Sequence, residues 1–369
     1  MELTSALAFD ALQKIFNSKK FLLIIGTGAS CALDHRFGMP ALAKELKDKV
    51  PGEISTKTPA MVQWKEVEQK LDNGKDLETS LNGINDEKLL AAIIQVTGNF
   101  IAKLDKENKI KIASGEKEPP LEKLIRARLE GLPPNDPTMD IITPNYDLLI
   151  EHTCDKLKIP YCTGFKGGIR RHYDWERAEE ELAYIKSHNK GKKKAETKHL
   201  RKHVRLHKVH GSINRFGEGI HGVEDNSLVY ELSSCIGRGI ITPGDTKNEK
   251  IATDFREFFS HADESIARAE AYIFVGYGFN DVPIETKIKN ELEKKDKHVV
   301  VITKEFLKKS EDWLNKKNLW AVYQDKADES NSIIKNEQYN NPLIIKKSSI
   351  WRIDEFAKEV LLGEGHVDI

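Results

Sequence analysis

Residues Phe21–Ser30 read FLLIIGTGAS, and this stretch decides the fold. Five large apolar residues stand in succession without polar alternation, the pattern of a strand covered on both faces by other layers. The small residues that follow mark a sharp exit from the strand. The run is far shorter than the roughly 20 residues that span a bilayer. Four further segments repeat the pattern: Asp140–Thr143 (DIIT), Lys208–Val209 leading into His210-Gly211, Ala271–Gly276 (AYIFVG) and His298–Thr303 (HVVVIT). Helical patterns separate them, so the chain is expected to form a doubly wound α/β sheet whose strands are mostly parallel.

Working outward, about 57–131 is mostly helical. It includes Met61–Leu71, Asp86–Leu104 and a segment opening at Pro119-Pro120 and running to Glu130. One crossover needs only one helix, so this stretch is expected to be an inserted helical subdomain. A second insertion, about 165–207, is polar. From Lys186 to Lys208 it carries ten Lys/Arg against the single acid Glu196, after an acidic Glu176–Glu181. Residues 304–369 read as helix, short strands and a final helix near Ile353–Leu362. The whole chain, 1–369, is expected to be one domain with these two insertions.

The 369 residues hold 58 Lys+Arg and 58 Asp+Glu, a formal net charge of zero. That balance argues against a polyanion binder acting through bulk charge and against an acidic solvating tail. Hydrophobic residues at 39% and charged residues at 31% describe a polar globular chain able to bury a sizeable core. Cys31, Cys154, Cys162 and Cys235 form no C-x-x-C pair, hence neither a disulfide framework nor a zinc ribbon. The start, MELTSALAFDALQK, lacks the apolar core of a secretory signal, and a soluble cytoplasmic protein is expected.

Chemistry concentrates just past the strands. Gly26-Thr27-Gly28-Ala29-Ser30 could let backbone approach a pyrophosphate, or could be a tight turn; it is not a full G-x-G-x-x-G. Val275-Gly276-Tyr277-Gly278-Phe279-Asn280-Asp281 repeats the arrangement, with Asn280 or Asp281 as a helix N-cap. Two such exits in one sheet can face a single crevice. Thr143-Pro144-Asn145-Tyr146-Asp147 offers Asn145, a donor and acceptor suited to ribose hydroxyls or a water; the alternative is that Asn145 or, more readily, Asp147 simply caps the helix 146–155. Val209-His210-Gly211-Ser212 offers His210 as a base near neutral pH, against the more common structural histidine.

These four motifs in this order, GTGAS at 26–30, TPNYD at 143–147, HG at 210–211 and GYGFND at 276–281, resemble the sirtuin superfamily, in its bacterial sirtuin-like NADase branch. Ile240–Lys250 (IITPGDTKNEK) also looks like the proline-containing segment of those proteins. The motifs cover some thirty residues spread over about 255 positions. The resemblance implies a Rossmann-like sheet and an NAD site. Gly26, Gly28, Ala29 and Ser30 would hold the pyrophosphate. Thr143 and Asp147 would belong to the NAD-binding set, Asp147 supporting the Asn145 loop, and Asn145 would position the nicotinamide ribose and the attacking water. His210 would be the general base. Gly276, Gly278 and Asn280 would line the adenosine half, and Thr303 or Lys304 would approach the adenine ribose. Cleaving the nicotinamide–ribose bond passes through an oxocarbenium-like state, which polar groups and a base serve and which needs no metal.

Two departures bear on the reaction. The four-cysteine zinc module of deacylating sirtuins is absent, and Gly38-Met39-Pro40-Ala41-Leu42 stands where they carry G-I-P-D-F-R. The resemblance therefore implies hydrolysis of NAD+ to nicotinamide and ADP-ribose, as the NAD-depleting effector of a prokaryotic antiphage system. It also implies a homo-oligomer paired with a HerA-type hexameric ATPase. A protein ADP-ribosyltransferase or deacylase, and a silent NAD or ADP-ribose scaffold, are the alternatives. The basic segment 186–208 could grip a phosphate backbone, or be a solvated loop or a contact for an acidic partner.

Overall fold

The computed structural model describes residues 2–18, 20–190, 193–231, 237–242, 244, 253–307, 311 and 318–364, with backbone only at 18, 188–190 and 193–195. Cys235 and most of the segment 240–250 lie outside the described residues. The chain opens with helix α1 (Ser5–Ser18), strand β1 (Phe21–Ile25) and α2 (Thr27–Leu33). Helices α3 (Met39–Glu53), α4 (Pro59–Asp72), α5 (Leu77–Ser80), α6 (Glu87–Ala113) and α7 (Glu122–Gly131) lead to β2 (Thr138–Thr143) and α8 (Leu149–Leu157). Next come β3 (Tyr161–Cys162), β4 (Phe165–Gly167), β5 (Arg170–Tyr173), α9 (Trp175–Glu180), β6 (Ala183–Lys190) and β7 (Lys193–Leu200). They are followed by β8 (His203–Lys208), β9 (Gly211–Phe216), β10 (Val223–Asp225) and β11 (Arg238–Ile240). The remainder is α10 (Arg256–Arg268), β12 (Ala271–Val275), α11 (Val282–Lys294), β13 (His298–Thr303), β14 (Leu319–Gln324), β15 (Ser332–Lys335), β16 (Leu343–Ile345) and α12 (Ile353–Phe356).

Among the described residues the main sheet runs β16-β15-β14-β13-β12-β1-β2-β8-β3. From β14 to β3 every pairing is parallel; β15 and β16 add an antiparallel edge. β1 sits in the middle, with Leu22 beside Tyr272 on one side and Asp140 on the other. Its side chains divide by parity. Leu23 and Ile25 join the core built with α1 and α7, whereas Leu22 and Ile24 join the one built with α10 and α11. Both faces are covered, which is why FLLII is uninterrupted. The α/β, doubly wound, mostly parallel sheet is the fold expected from the sequence.

Two strands exceed their sequence signal. β8 begins at His203, five residues before the Lys208–Val209 segment expected there, so residues 203–207 belong to the central sheet. Its polar side chains are buried, or half-buried at Arg205, because partners meet them: Arg205 Nε donates to Glu179 (2.7 Å) and Lys208 Nζ to Glu151 (2.8 Å), while His207 Nε2 lies 3.0 Å from Ser265 Oγ. β14 extends the parallel core beyond β13.

The helical stretch before β2 has a core of its own around Leu46, Trp64, Leu89 and Ile93, to which α3 also belongs. A smaller antiparallel sheet, β11-β9-β10-β5-β4, and the isolated pair β6-β7 complete the described strands.

Candidate active site

From β1 the chain winds outward through β2 to β8 on one side and, after returning, through β12, β13 and β14 on the other. The strand order therefore reverses between β1 and β12, and in open α/β sheets ligands bind in the crevice past the strand ends at that point. Both glycine-bearing exits meet there. Gly28 N donates to Gly276 O (2.9 Å) and Gly26 N to Val275 O (3.0 Å). A Cβ on Gly26 would stand 2.5 Å from Gly276 O, and one on Gly276, whose φ is +55°, 2.6 Å from Ala29 N. These glycines are required first because two backbones touch, a demand independent of any ligand.

Asn145 sits beside this contact. Its Nδ2 donates to Gly26 O and to Ser30 Oγ, both at 3.1 Å, and its backbone N to Thr143 Oγ1. Thr143 in turn donates to Ile25 O, tying the ends of β1 and β2 together. With Nδ2 committed, Asn145 Oδ1 faces Thr27 Oγ1, 3.4 Å away. Ser30 Oγ donates to Asp147 Oδ2 (2.8 Å), and Asp147 Oδ1 accepts from Leu149 N. Burial pushes the Asp147 carboxyl up, against the lowering effect of Lys208 and Ser30.

His210 follows β8 and Val209. Gly211 after it has φ +87° and lies against Gly239, so a side chain there would strike backbone. His210 Nε2 lies 2.7 Å from Asp281 Oδ2, with both side chains buried. Asp281 also N-caps α11 through Oδ1, and its backbone N donates to Glu285 Oε1 (2.7 Å).

A cavity of ≈ 300 Å³ opens here, lined by Gly26, Thr27, Gly28, Asn145, Asp147, His210, Gly276, Gly278, Asn280 and Asp281. A second, of ≈ 520 Å³, shares Gly28 and Gly276–Gly278 with it and extends to Ala29, Thr303, Lys304, Trp351 and Arg352. The sequence-predicted residues thus gather at one place, except that Ser30 and Thr143 line neither cavity and stand behind Asn145 as its supports.

Several lining residues escaped the sequence reading. Asp281 was visible only as a helix cap. Phe37, Met39 and Leu42 come from the segment after α2, and Glu78 and Ile101 from the helical stretch, so that stretch forms part of the wall. Tyr146 donates to Ile241 O, and burial, with Glu78 and Asp281 nearby, pushes its phenol up. The buried Tyr277 hydroxyl lacks a hydrogen-bond partner among the described residues. Short apolar or acidic residues in helices carry no local mark of such a role; only the apolar run of the parent strands could have led to Tyr277.

Residues 140–322 match the family model of the SIR2-like domain, a span reaching from β2 into β14 that carries the Asn145, His210 and Gly276–Asp281 motifs. No curated protein matches the chain. Similar solved structures include a Sir2 enzyme bound to a propionylated peptide, at 12% identity over 96% of this chain and 98% of that one with TM-score 0.42. A structure describing sirtuin substrate affinity is 13% identical over 96% and 98%, with TM-score 0.41. A Sir2 homolog–NAD complex is 13% identical over 81% and 84%, with TM-score 0.40. Among the described residues, no helix is long and apolar enough to cross a membrane.

Proposed function

We propose that this chain binds NAD+ across the two cavities and hydrolyses it to nicotinamide and ADP-ribose. The observation that carries the reading is the pair of cavities joined at the Gly28–Gly276 contact, with polar chemistry concentrated on one side. A dinucleotide has that shape: nicotinamide and its ribose in the cavity of Asn145 and His210, pyrophosphate over the glycine edge, adenosine beside Thr303 and Lys304.

In the reaction the bond between ribose C1′ and the nicotinamide nitrogen breaks, its electron pair leaving on nicotinamide, and a water oxygen adds to C1′. Asn145, its amide plane fixed by Gly26 and Ser30, orients the ribose and that water. His210 takes the water's proton, and the Asp281 carboxylate stabilises the resulting imidazolium. Glu78, Asp147 and Asp281 bring carboxyl groups to the cavity in which positive charge develops on the ribose, the kind of fixed electrostatic support that favours such a transition state. NAD+ is the substrate, and no metal takes part in these steps.

The role follows from the resemblance of the motifs to bacterial sirtuin-like NADases: an NAD-depleting effector of antiphage defence, cytoplasmic, homo-oligomeric and held by a HerA-type hexameric ATPase. The test is nicotinamide release from NAD+ by the purified protein, wild type beside Asn145→Ala, with and without the neighbouring ATPase. Release that vanishes in the variant supports the reading. Saturable NAD+ binding without release under either condition would replace the enzyme by a nucleotide-binding scaffold.

A further inference from the structure

The two cavities differ in charge. Among the described residues the first is lined by the carboxyl groups of Glu78, Asp147 and Asp281 and by neither lysine nor arginine. The second, the larger of the two, is lined by Lys304, Arg352 and His35, with Glu305 as its one acid. That acid is paired with Lys326, 2.8 Å away and outside the lining, so its charge is offset. A nicotinamide dinucleotide is polar in the same sense. Its cationic pyridinium suits the acidic cavity, and its phosphate-bearing adenosine half suits the basic one.

Both cations are placed at the rim by their backbones. Lys304 follows β13, and its carbonyl accepts from Gln324 N (3.2 Å) at the end of β14. Its side chain is exposed and makes no ion pair among the described residues. Arg352 precedes α12, whose Ile353 and Phe356 are buried in the core shared with α1. Arg352 Nε donates to Asp354 Oδ1 (3.2 Å) and Nη2 to Asp354 Oδ2 (2.9 Å). This is a partly exposed pair of small energetic value, and it leaves Nη1 for another acceptor.

In doubly wound dinucleotide folds, an acidic side chain that accepts from the adenosine ribose 2′-hydroxyl marks a site for NAD+, whereas a nearby arginine accommodates a 2′-phosphate. Here a lysine follows the strand end, an arginine lines the same cavity and the one acid is offset. We propose that the second cavity is a 2′-phosphate subsite, so that the chain takes NADP+ as well as NAD+, with Lys304 and Arg352 as its specificity-determining residues. The inference rests on the two cavities being one dinucleotide site. Lys304 supplies a point charge and Arg352 a directed donor, both charge-assisted towards phosphate oxygen. Cleavage balances as for NAD+: the bond from C1′ to the nicotinamide nitrogen breaks with its electron pair on nicotinamide. The water oxygen joins C1′ and its proton goes to His210, leaving ADP-ribose 2′-phosphate.

The test compares nicotinamide release from NADP+ and NAD+ by the purified full chain, and titrates the chain calorimetrically with adenosine 2′,5′-bisphosphate and adenosine 5′-monophosphate. The kcat/KM for NADP+ should equal or exceed that for NAD+, and the bisphosphate should bind about tenfold or more tightly than the monophosphate. In Lys304→Gln/Arg352→Gln both ratios should fall about tenfold or more. A variant that had merely lost structure would weaken both members of each pair together and leave the ratios unchanged. Release from NAD+ alone, no preference for the bisphosphate, or ratios unaltered in the variant each overturns the proposal. Release from neither dinucleotide, with a bisphosphate preference that the variant loses, would overturn the hydrolysis of NAD+ and leave the 2′-phosphate subsite standing.

Discussion

His210 Nε2 and Asp281 Oδ2 lie 2.7 Å apart, although one residue follows β8 and the other opens α11 on the far side of β1. The same carboxyl group caps the helix through its other oxygen. One side chain thus both opens a helix and lies against the imidazole at the cavity wall.

Asp281→Asn tests that double use. Asparagine caps helices as well as aspartate does, so the fold should survive, while the negative charge beside His210 is lost. Turnover is expected to drop roughly 10²-fold or more, with KM little changed, as for other carboxylates that orient a catalytic imidazole. Asp281→Ala should lose the cap as well, lowering stability by about 1 kcal/mol. Equal turnover in Asp281→Asn and wild type would leave Asp281 a helix cap and nothing more.

Asn145→Ala and His210→Ala should each cut nicotinamide release by roughly 10²–10⁴-fold, the range for a lost positioning or acid–base group. Ser30→Ala removes a support of Asn145 without touching the cavity, so a smaller loss is expected. Full activity in either alanine variant of Asn145 or His210 removes that residue from the mechanism.

Gly276→Ala should destabilise the chain by about 1–3 kcal/mol, because a side chain there meets backbone and φ is positive. Gly52→Ala in α3, where a Cβ meets nothing within 4 Å, is the control and should be neutral or slightly stabilising. Thermal denaturation of both variants decides this; equal melting temperatures would show that the two loops tolerate separation.

Arg238 is buried against α6, where it donates to the carbonyls of Ile213, Val229 and Glu231, and burial pushes its guanidinium down to about 10. Its side chain occupies the space that a Cβ on Gly98 would take. Gly98→Ala should therefore lower the denaturant midpoint, by about 1–3 kcal/mol in stability. A midpoint equal to wild type contradicts this packing.

Acid should unfold the chain partly through Asp140 on β2. Burial pushes its carboxyl up, but His207, Arg205 and Arg268 outweigh that and hold it well below the usual carboxylate range. A depressed folded-state pKa adds stability that is complete above the unfolded value, about 3.9, and disappears as pH falls through the folded value. Melting temperature against pH should fall below about pH 4, and Asp140→Asn should flatten that fall. An unaltered slope in the variant would assign the acid limb to other groups.

Local pattern made the frame readable. FLLII, AYIFVG and HVVVIT announce strands covered on both faces because composition records burial directly, and the exits from β1, β2, β8 and β12 are marked by residues that turns and caps require. β8 was legible only in its last residues, since HVRLHK looks solvent-exposed until Glu179, Glu151 and Ser265 arrive from other elements to satisfy it. The glycines announced a close approach but not its object, which is the opposite loop. Nor could the chain alone tell that Asp281 faces His210, or that Glu78 and Ile101 close the cavity. Those relationships depend on strand order: the reversal between β1 and β12 brings distant loops to one crevice, and no periodicity within a segment encodes which segments will be neighbours.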